Sequence, residues 1–254
     1  MKNLRYIKLG GLSGAKIAAE HELTRHIGFD NPVIVSCFAK KPTLTIPFLH
    51  KPDTCLKLDE VTEDVDIARV DTLKSGGSMF LDNNTWLIHL HVKNTDIGNN
   101  DICRILIAIT SKVMRKYGIN LYSSIHRSNS NDLVVKEDGK DKKIAGTWIG
   151  KYNDTHTVFG IFINFKVNYD IMKQAFRMDT EKMKARNTDK IEDVVTGLEC
   201  ENNKEEIIDK IINEVAKRLK FNLLVSELSI KEKDILKNIT ILLSSKEWIY
   251  NAKR

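Results

Sequence analysis

Cysteine is scarce and scattered in this chain. The four, Cys37, Cys55, Cys103 and Cys200, include no Cys-x-x-Cys pair. That spacing excludes a zinc ribbon and a disulfide framework, and it fits a reducing compartment, so a cytoplasmic protein is expected. Long apolar runs are missing too. The start, Met1 to Leu9, has no signal-peptide core, and no later stretch reaches the roughly 20 residues of a membrane span, so no membrane partner is expected. An arginine-rich helix or basic tail is also absent. The net charge of +6 is spread along the chain and suits an acidic protein or a nucleotide as well as nucleic acid; no nucleic-acid partner is expected. Proline is confined to positions 32, 42, 47 and 52. The strands predicted there, Val33 to Phe38 and Leu44 to Phe48, should therefore be edges or be interrupted by loops, because proline cannot donate to a ladder.

What is present is a core. With 254 residues and 42% hydrophobic content the chain can bury a sizeable one without staples. A strand over Leu4 to Leu9 should turn at Gly10-Gly11 into a helix capped by Ser13 and running to about His26, with Ile17, Ala18 and His21 on its apolar side. Thr85 to Val92 alternates as a strand. The clearest helix is Asp101 to Tyr117, whose Ile102, Ile105, Leu106, Ile109, Val113 and Met114 share one face, with Gly118 as its stop. Further on come a strand over Thr157 to Phe165, a helix from Asp170 to Phe176 and an amphipathic helix from Asn203 to Leu219. A strand over Phe221 to Val225 precedes a helix opened by the capping box Ser229-Ile230-Lys231-Glu232. The pattern predicts one α+β domain over 1–254, with 203–254 as its helical C-terminal part.

Two stretches carry candidate chemistry. Leu133 to Val135 drops into a charged turn at Asp138-Gly139 and rises again through Ile144-Ala145, which reads as a β-hairpin. Lys143 then starts a strand, three residues ahead of Gly146, and is placed to hold a carbonyl or phosphate oxygen. A solvated charge run is the competing reading of the same residues. Upstream, Ser75-Gly76-Gly77-Ser78 lies between strands, where backbone N–H groups can cradle a phosphate; a plain hairpin turn is the commoner use of such a glycine pair.

Asn131-Asp132-Leu133 followed by Lys143-Ile144-Ala145-Gly146 resembles the Asn-Asp-Leu…Lys-Ile-(Ser/Ala)-Gly signature of lipoate-protein ligases and the related octanoyltransferases. Thr72 to Asp82 is similar to that family's Arg-x-x-Gly-Gly-Gly-x-x-x-His-Asp loop, with Thr72, Ser75 and Leu81 in place of the arginine, the first glycine and the histidine. Thr157 to Phe165 resembles its His-His-Gly-x-Leu-Leu-x-Asn strand, matching at Gly160 and Asn164 and carrying Val158 and Phe159 where ligases have histidines. Stretches 179–183 and 194–198 are similar to later family segments, and Ser245-Lys246-Glu247-Trp248 to the ending of its catalytic domain.

The resemblance implies a mixed, mostly antiparallel sheet with helices packed over one side. It also implies ATP-dependent activation of lipoate as lipoyl-AMP and transfer to a lysine of a lipoyl carrier domain, either a glycine-cleavage H protein or a 2-oxoacid dehydrogenase E2. In that scheme Lys143 is catalytic. Ser75, Gly76, Gly77, Ser78, Asp82, Asn131, Asp132, Gly146 and Gly160 line the nucleotide and acyl site, Mg²⁺ comes with the ATP, and a separate small accessory subunit is a candidate partner. The alternatives within the same resemblance are a non-catalytic carrier-binding subunit and an octanoyl or lipoyl transferase. The transferase would need a cysteine at the position of His156.

Overall fold

The computed structural model describes residues 2–27, 31–71, 77–93, 99–123, 132–151, 156–177 and 188–251. Eleven strands are described: β1 Asn3–Leu12, β2 Val33–Ala39, β3 Thr43–Pro47, β4 Asp66–Val70, β5 Met79–Leu81, β6 Thr85–Lys93, β7 Tyr122–Ser123, β8 Asp132–Glu137, β9 Lys140–Lys151, β10 His156–Asn164 and β11 Asn222–Val225. The described helices are α1 Gly14–Ile27, α2 Pro52–Cys55, α3 Asn99–Arg115, α4 Tyr169–Ala175, α5 Lys204–Arg218, α6 Ile230–Leu243 and α7 Lys246–Asn251. None of these helices is long and apolar enough to cross a membrane.

Eight strands form one sheet in the order β11-β1-β2-β6-β10-β9-β8-β7, and β4-β3-β5 form a second. In the large sheet β1 pairs in parallel with β11 and β2. The other five pairings are antiparallel. The mixed, mostly antiparallel α+β architecture expected from the sequence is therefore present.

Helices cover both faces of the large sheet, not one. Period-2 alternation sends Tyr6, Ile34, Trp86, Ile88, Phe159 and Ile161 to the face packed by α3 and α5. Ile7, Val33 and Val35 go to the opposite face, beneath α1 and α6. The central strands β2, β6 and β10 are consequently buried on both sides.

Two other expectations change. Gly10-Gly11 does not turn the chain: it lies inside β1, where the register shifts between Lys8 and Gly10 and Gly10 takes φ +64°. Nor do the prolines mark edges, since β2 lies between β1 and β6, and β3 is central in the small sheet. Pro32 and Pro42 precede their strands and Pro47 ends β3, so no donor is lost inside a ladder.

The last large helix is anchored as its sequence signals. Ser229 Oγ accepts from the Glu232 N–H at 3.3 Å, and Glu232 accepts from the Ser229 N–H at 2.6 Å. The same carboxylate takes a fork from Arg5 at 2.5 and 2.8 Å, which ties α6 to β1. Ser229→Ala is expected to cost about 1 kcal/mol, read as a lower urea midpoint with unchanged slope.

Candidate active site

The hairpin closes at Asp138 and Gly139, both left-handed with φ +52° and +75°, the conformation that a tight two-residue turn with right-handed strand twist requires. Lys143 sits three residues into β9 rather than at its start. Val134 pairs with Lys143 and Leu133 with Ala145, so Ile144 is an extra residue. This bulge re-aims the backbone and the Lys143 side chain. The Lys143 ammonium reaches Asp132 Oδ1 at 2.7 Å and lies 4.9 Å from the centre of the Phe162 ring. Its neighbour Lys142 points the other way and pairs with Glu137 at 3.0 Å.

Gly146 makes room for this arrangement. A Cβ there would stand 2.8 Å from Lys143 Cε and Nζ and 2.9 Å from Phe162. Asp132, Gly146, Phe162, Leu87 and Cys37 form one cross-strand row on the α1 face. The next row on that face, about 7 Å along the strands, holds Trp148, Gly160, His89 and Val35. The indole of Trp148 covers Gly160 so closely that a Cβ would overlap it.

The main chain of Lys143 is fixed from outside the hairpin. β10 leaves β9 at the Ile163–Ala145 pair, and residues 194–196 take over the vacated edge. Lys143 N–H donates to the Val194 carbonyl at 2.8 Å, and its carbonyl accepts from Thr196 N–H at 2.9 Å. That segment is held in turn by Leu198 N–H on the Asn164 carbonyl, Glu199 N–H on the Phe165 carbonyl and the Tyr169 hydroxyl on the Val195 carbonyl. The sequence contained the segment, but nothing local in it links Val194 to Lys143, fifty residues away.

Ser75, Gly76, Asn131 and stretch 179–183 lie outside the described residues. Gly77 is exposed. Ser78 Oγ is buried without a hydrogen-bond partner among the described residues, which leaves one hydroxyl of the loop available to a ligand. Asp82 lies between β5 and β6. Its carboxylate accepts from Asn84 N–H at 2.7 Å, and burial pushes it above the usual carboxylate range against the pull of that bond. Leu81, in the place of the family histidine, is buried among Leu12, Ile17, Cys37, Ala39 and Leu87.

Residues 14–220 match the model of the lipoyl protein ligase A/B catalytic domain. The chain belongs to this family. No protein of curated function matches it. Among solved structures, a putative lipoate protein ligase from Thermoplasma acidophilum with bound lipoic acid is similar at a TM-score of 0.76 and 16% identity, over 99% of this chain and 100% of that one. A bi-partite lipoate protein ligase from the same organism, studied with its E2 lipoyl domain, gives 0.79 and 14% over 100% and 98%. Lipoate-protein ligase A bound with ATP gives 0.78 and 15% over 98% and 99%. At such identities the likeness establishes the lipoate-ligase fold, and what this member does rests on its own residues.

Among those, the position where the transferase reading needs a cysteine holds His156, at the start of β10. Burial, with the charge of Lys93 and His91, holds it below the usual imidazole range. Cys37 and Cys103 are buried, and burial pushes both thiols up, away from the thiolate form. Replacing all four cysteines by serine is expected to leave any acyl transfer intact while lowering the melting temperature, because two of the four lie in the core. Loss of transfer in a folded single variant such as Cys103→Ser would restore a thiol mechanism.

A buried polar cluster was not anticipated. Glu20 on α1 bridges two histidines of β6, with Oε2 at 2.5 Å from His89 Nδ1 and Oε1 at 2.9 Å from His91 Nε2. Burial alone would raise the Glu20 carboxyl, but the two imidazoles outweigh it and hold it well below the carboxylate range. The signal in the sequence was His89-x-His91 inside an apolar strand, since alternate residues share a face.

Proposed function

We propose that the chain is an ATP-dependent lipoate-protein ligase that forms lipoyl-AMP and transfers the lipoyl group to a lysine of a lipoyl carrier domain. The observation that carries this reading is Lys143. A lysine ammonium is held at a strand bulge by Asp132, roofed by Phe162, given space by Gly146 and fixed through its main chain by residues 194–196. The bound lipoic acid, the ATP and the E2 lipoyl domain named for the three structural relatives support the choice of substrates and partner.

In the first step a carboxylate oxygen of lipoate attacks the α-phosphorus of ATP, and the bond to pyrophosphate breaks. In the second, the ε-amine of the carrier lysine attacks the activated carbonyl, AMP leaves with the bonding electrons, and the amine gives up a proton. Each step places negative charge on oxygens that a fixed cation stabilises without reorganising. Lys143 supplies that cation, and Asp132 keeps it oriented before substrate arrives. Ser78 and the backbone at Gly76 and Gly77 are assigned to phosphate, Ser75 and Asn131 to the nucleotide, and Gly160 to the acyl side. Mg²⁺ would be carried mainly by the phosphates, because Asp132 is engaged with Lys143 and Asp82 with the turn at Asn84.

The second reading, a carrier-binding subunit without catalysis, is favoured by Leu81, Val158 and Phe159. All three are fully buried apolar residues where ligases carry histidines. Lipoate-dependent exchange of label between ATP and pyrophosphate separates the two. The ligase reading expects exchange that needs lipoate, by the chain alone or with a small accessory subunit. No exchange in either mixture would favour the non-catalytic reading.

A further inference from the structure

The cluster beneath α1 has no part in the acyl chemistry above, and its composition is unusual for a core. Glu20, His21, His89 and His91 are all buried, the least so 2% exposed. Burying four such side chains is costly unless each is well partnered. The Glu20 carboxylate is shared between His89 Nδ1 and His91 Nε2. His89 Nε2, however, is buried with no hydrogen-bond partner among the described residues. The His21 ring stands edge-on to His89 with centroids 4.2 Å apart and stacks on Trp148 at 4.7 Å.

Two features distinguish this from an ordinary buried hydrogen-bond network. First, one ligand atom from each of Glu20, His21 and His89 lies within 4.8 Å of the other two, a spacing from which a small ion can gather them. Second, His89 Nε2 is a buried polar atom with no hydrogen-bond partner among the described residues, a state that a bound ion relieves. Imidazoles with one carboxylate select a borderline transition ion such as Zn²⁺ over Mg²⁺ or Ca²⁺, which prefer all-oxygen shells.

We propose that Glu20, His21 and His89, with His91 alongside, form a buried site for one divalent transition-metal ion of the zinc class that ties α1 to β6. The ion would fasten the helix over the sheet row that holds Gly160 and Trp148. It is structural: among the described residues the ligand set lies under α1, away from solvent, and offers no open position to a substrate.

The test uses the full chain, stripped with a chelator and shown to be folded by circular dichroism. After incubation with excess Zn²⁺ and desalting, elemental analysis should find one Zn²⁺ per chain, and the melting temperature should rise. Loading with Co²⁺ should give the visible bands of a four-coordinate ion with imidazole ligands. Glu20→Gln keeps the size and one acceptor of the side chain and should weaken Zn²⁺ binding by more than the about 10-fold that even an orienting partner is worth; His89→Gln should do the same. The Co²⁺ spectrum of the unmodified protein decides the matter even if a variant misfolds. Zn²⁺ retention no greater than in Glu20→Gln, or no imidazole-coordinated Co²⁺ spectrum, would overturn the site and leave a hydrogen-bonded cluster. Neither readout depends on ligase activity, so the metal site and the proposed function fail separately.

Discussion

Lys143→Ala is expected to lower lipoyl transfer by at least about 10²-fold, the usual loss when one preorganised donor to a transition-state oxygen is removed. The structure supports a specific pattern around that number. Lys142→Ala should lose little, because Lys142 faces away and pairs with Glu137. Lys143→Arg should fail nearly as badly as alanine, since a planar guanidinium does not fit the point-charge position between Asp132 and Phe162. Folding should survive all three, as the Lys143 side chain is 27% exposed and lies outside the apolar clusters. Transfer assays and melting curves on the same preparations check both halves. Equal activity in Lys143→Ala and the unmodified protein would remove Lys143 from the mechanism.

The second large effect is expected at Gly197, which packs on the main chain of Phe165 and Lys166. A Cβ on this residue would lie 2.6 Å from Lys166 Cα and 2.8 Å from the Phe165 carbonyl oxygen, both main-chain atoms that cannot step aside. Gly197→Ala must therefore push residues 194–198 outward, at a cost of about 1–3 kcal/mol by the scale of overpacked cores. The same movement pulls Val194 and Thr196 off the main chain of Lys143. A displacement near 1 Å at a reacting group can cost up to about 10²-fold, so the variant should lose at least about tenfold in turnover at temperatures where it is still folded. Loss of stability with full turnover would show that residues 194–196 do not position Lys143.

These two residues also show what was legible in the sequence. The hairpin around Lys143 was readable because Asp138-Gly139 is a local signal flanked by strand residues, and α3 was readable because its apolar face repeats with helical period. The capping box at Ser229 was local as well. The bulge at Ile144 was not readable, since it depends on how β8 meets β9. The contact of Val194 with Lys143 and the bridge from Glu20 to His89 and His91 join residues fifty to seventy positions apart, which no window of pattern spans. The prolines misled because their effect on a strand depends on position: at its ends they cost no ladder bond. Helices on one side were what the family resemblance implied; the second layer follows from the central strands burying both of their faces.

The most direct test of the central claim is the intact mass of a lipoyl carrier domain after incubation with this protein, ATP, Mg²⁺ and lipoate, with and without a small accessory subunit. The expected result is a gain of one lipoyl group on a single carrier lysine, dependent on ATP and absent with Lys143→Ala. An unchanged carrier mass in every mixture, with the protein folded and all substrates present, would contradict the ligase assignment.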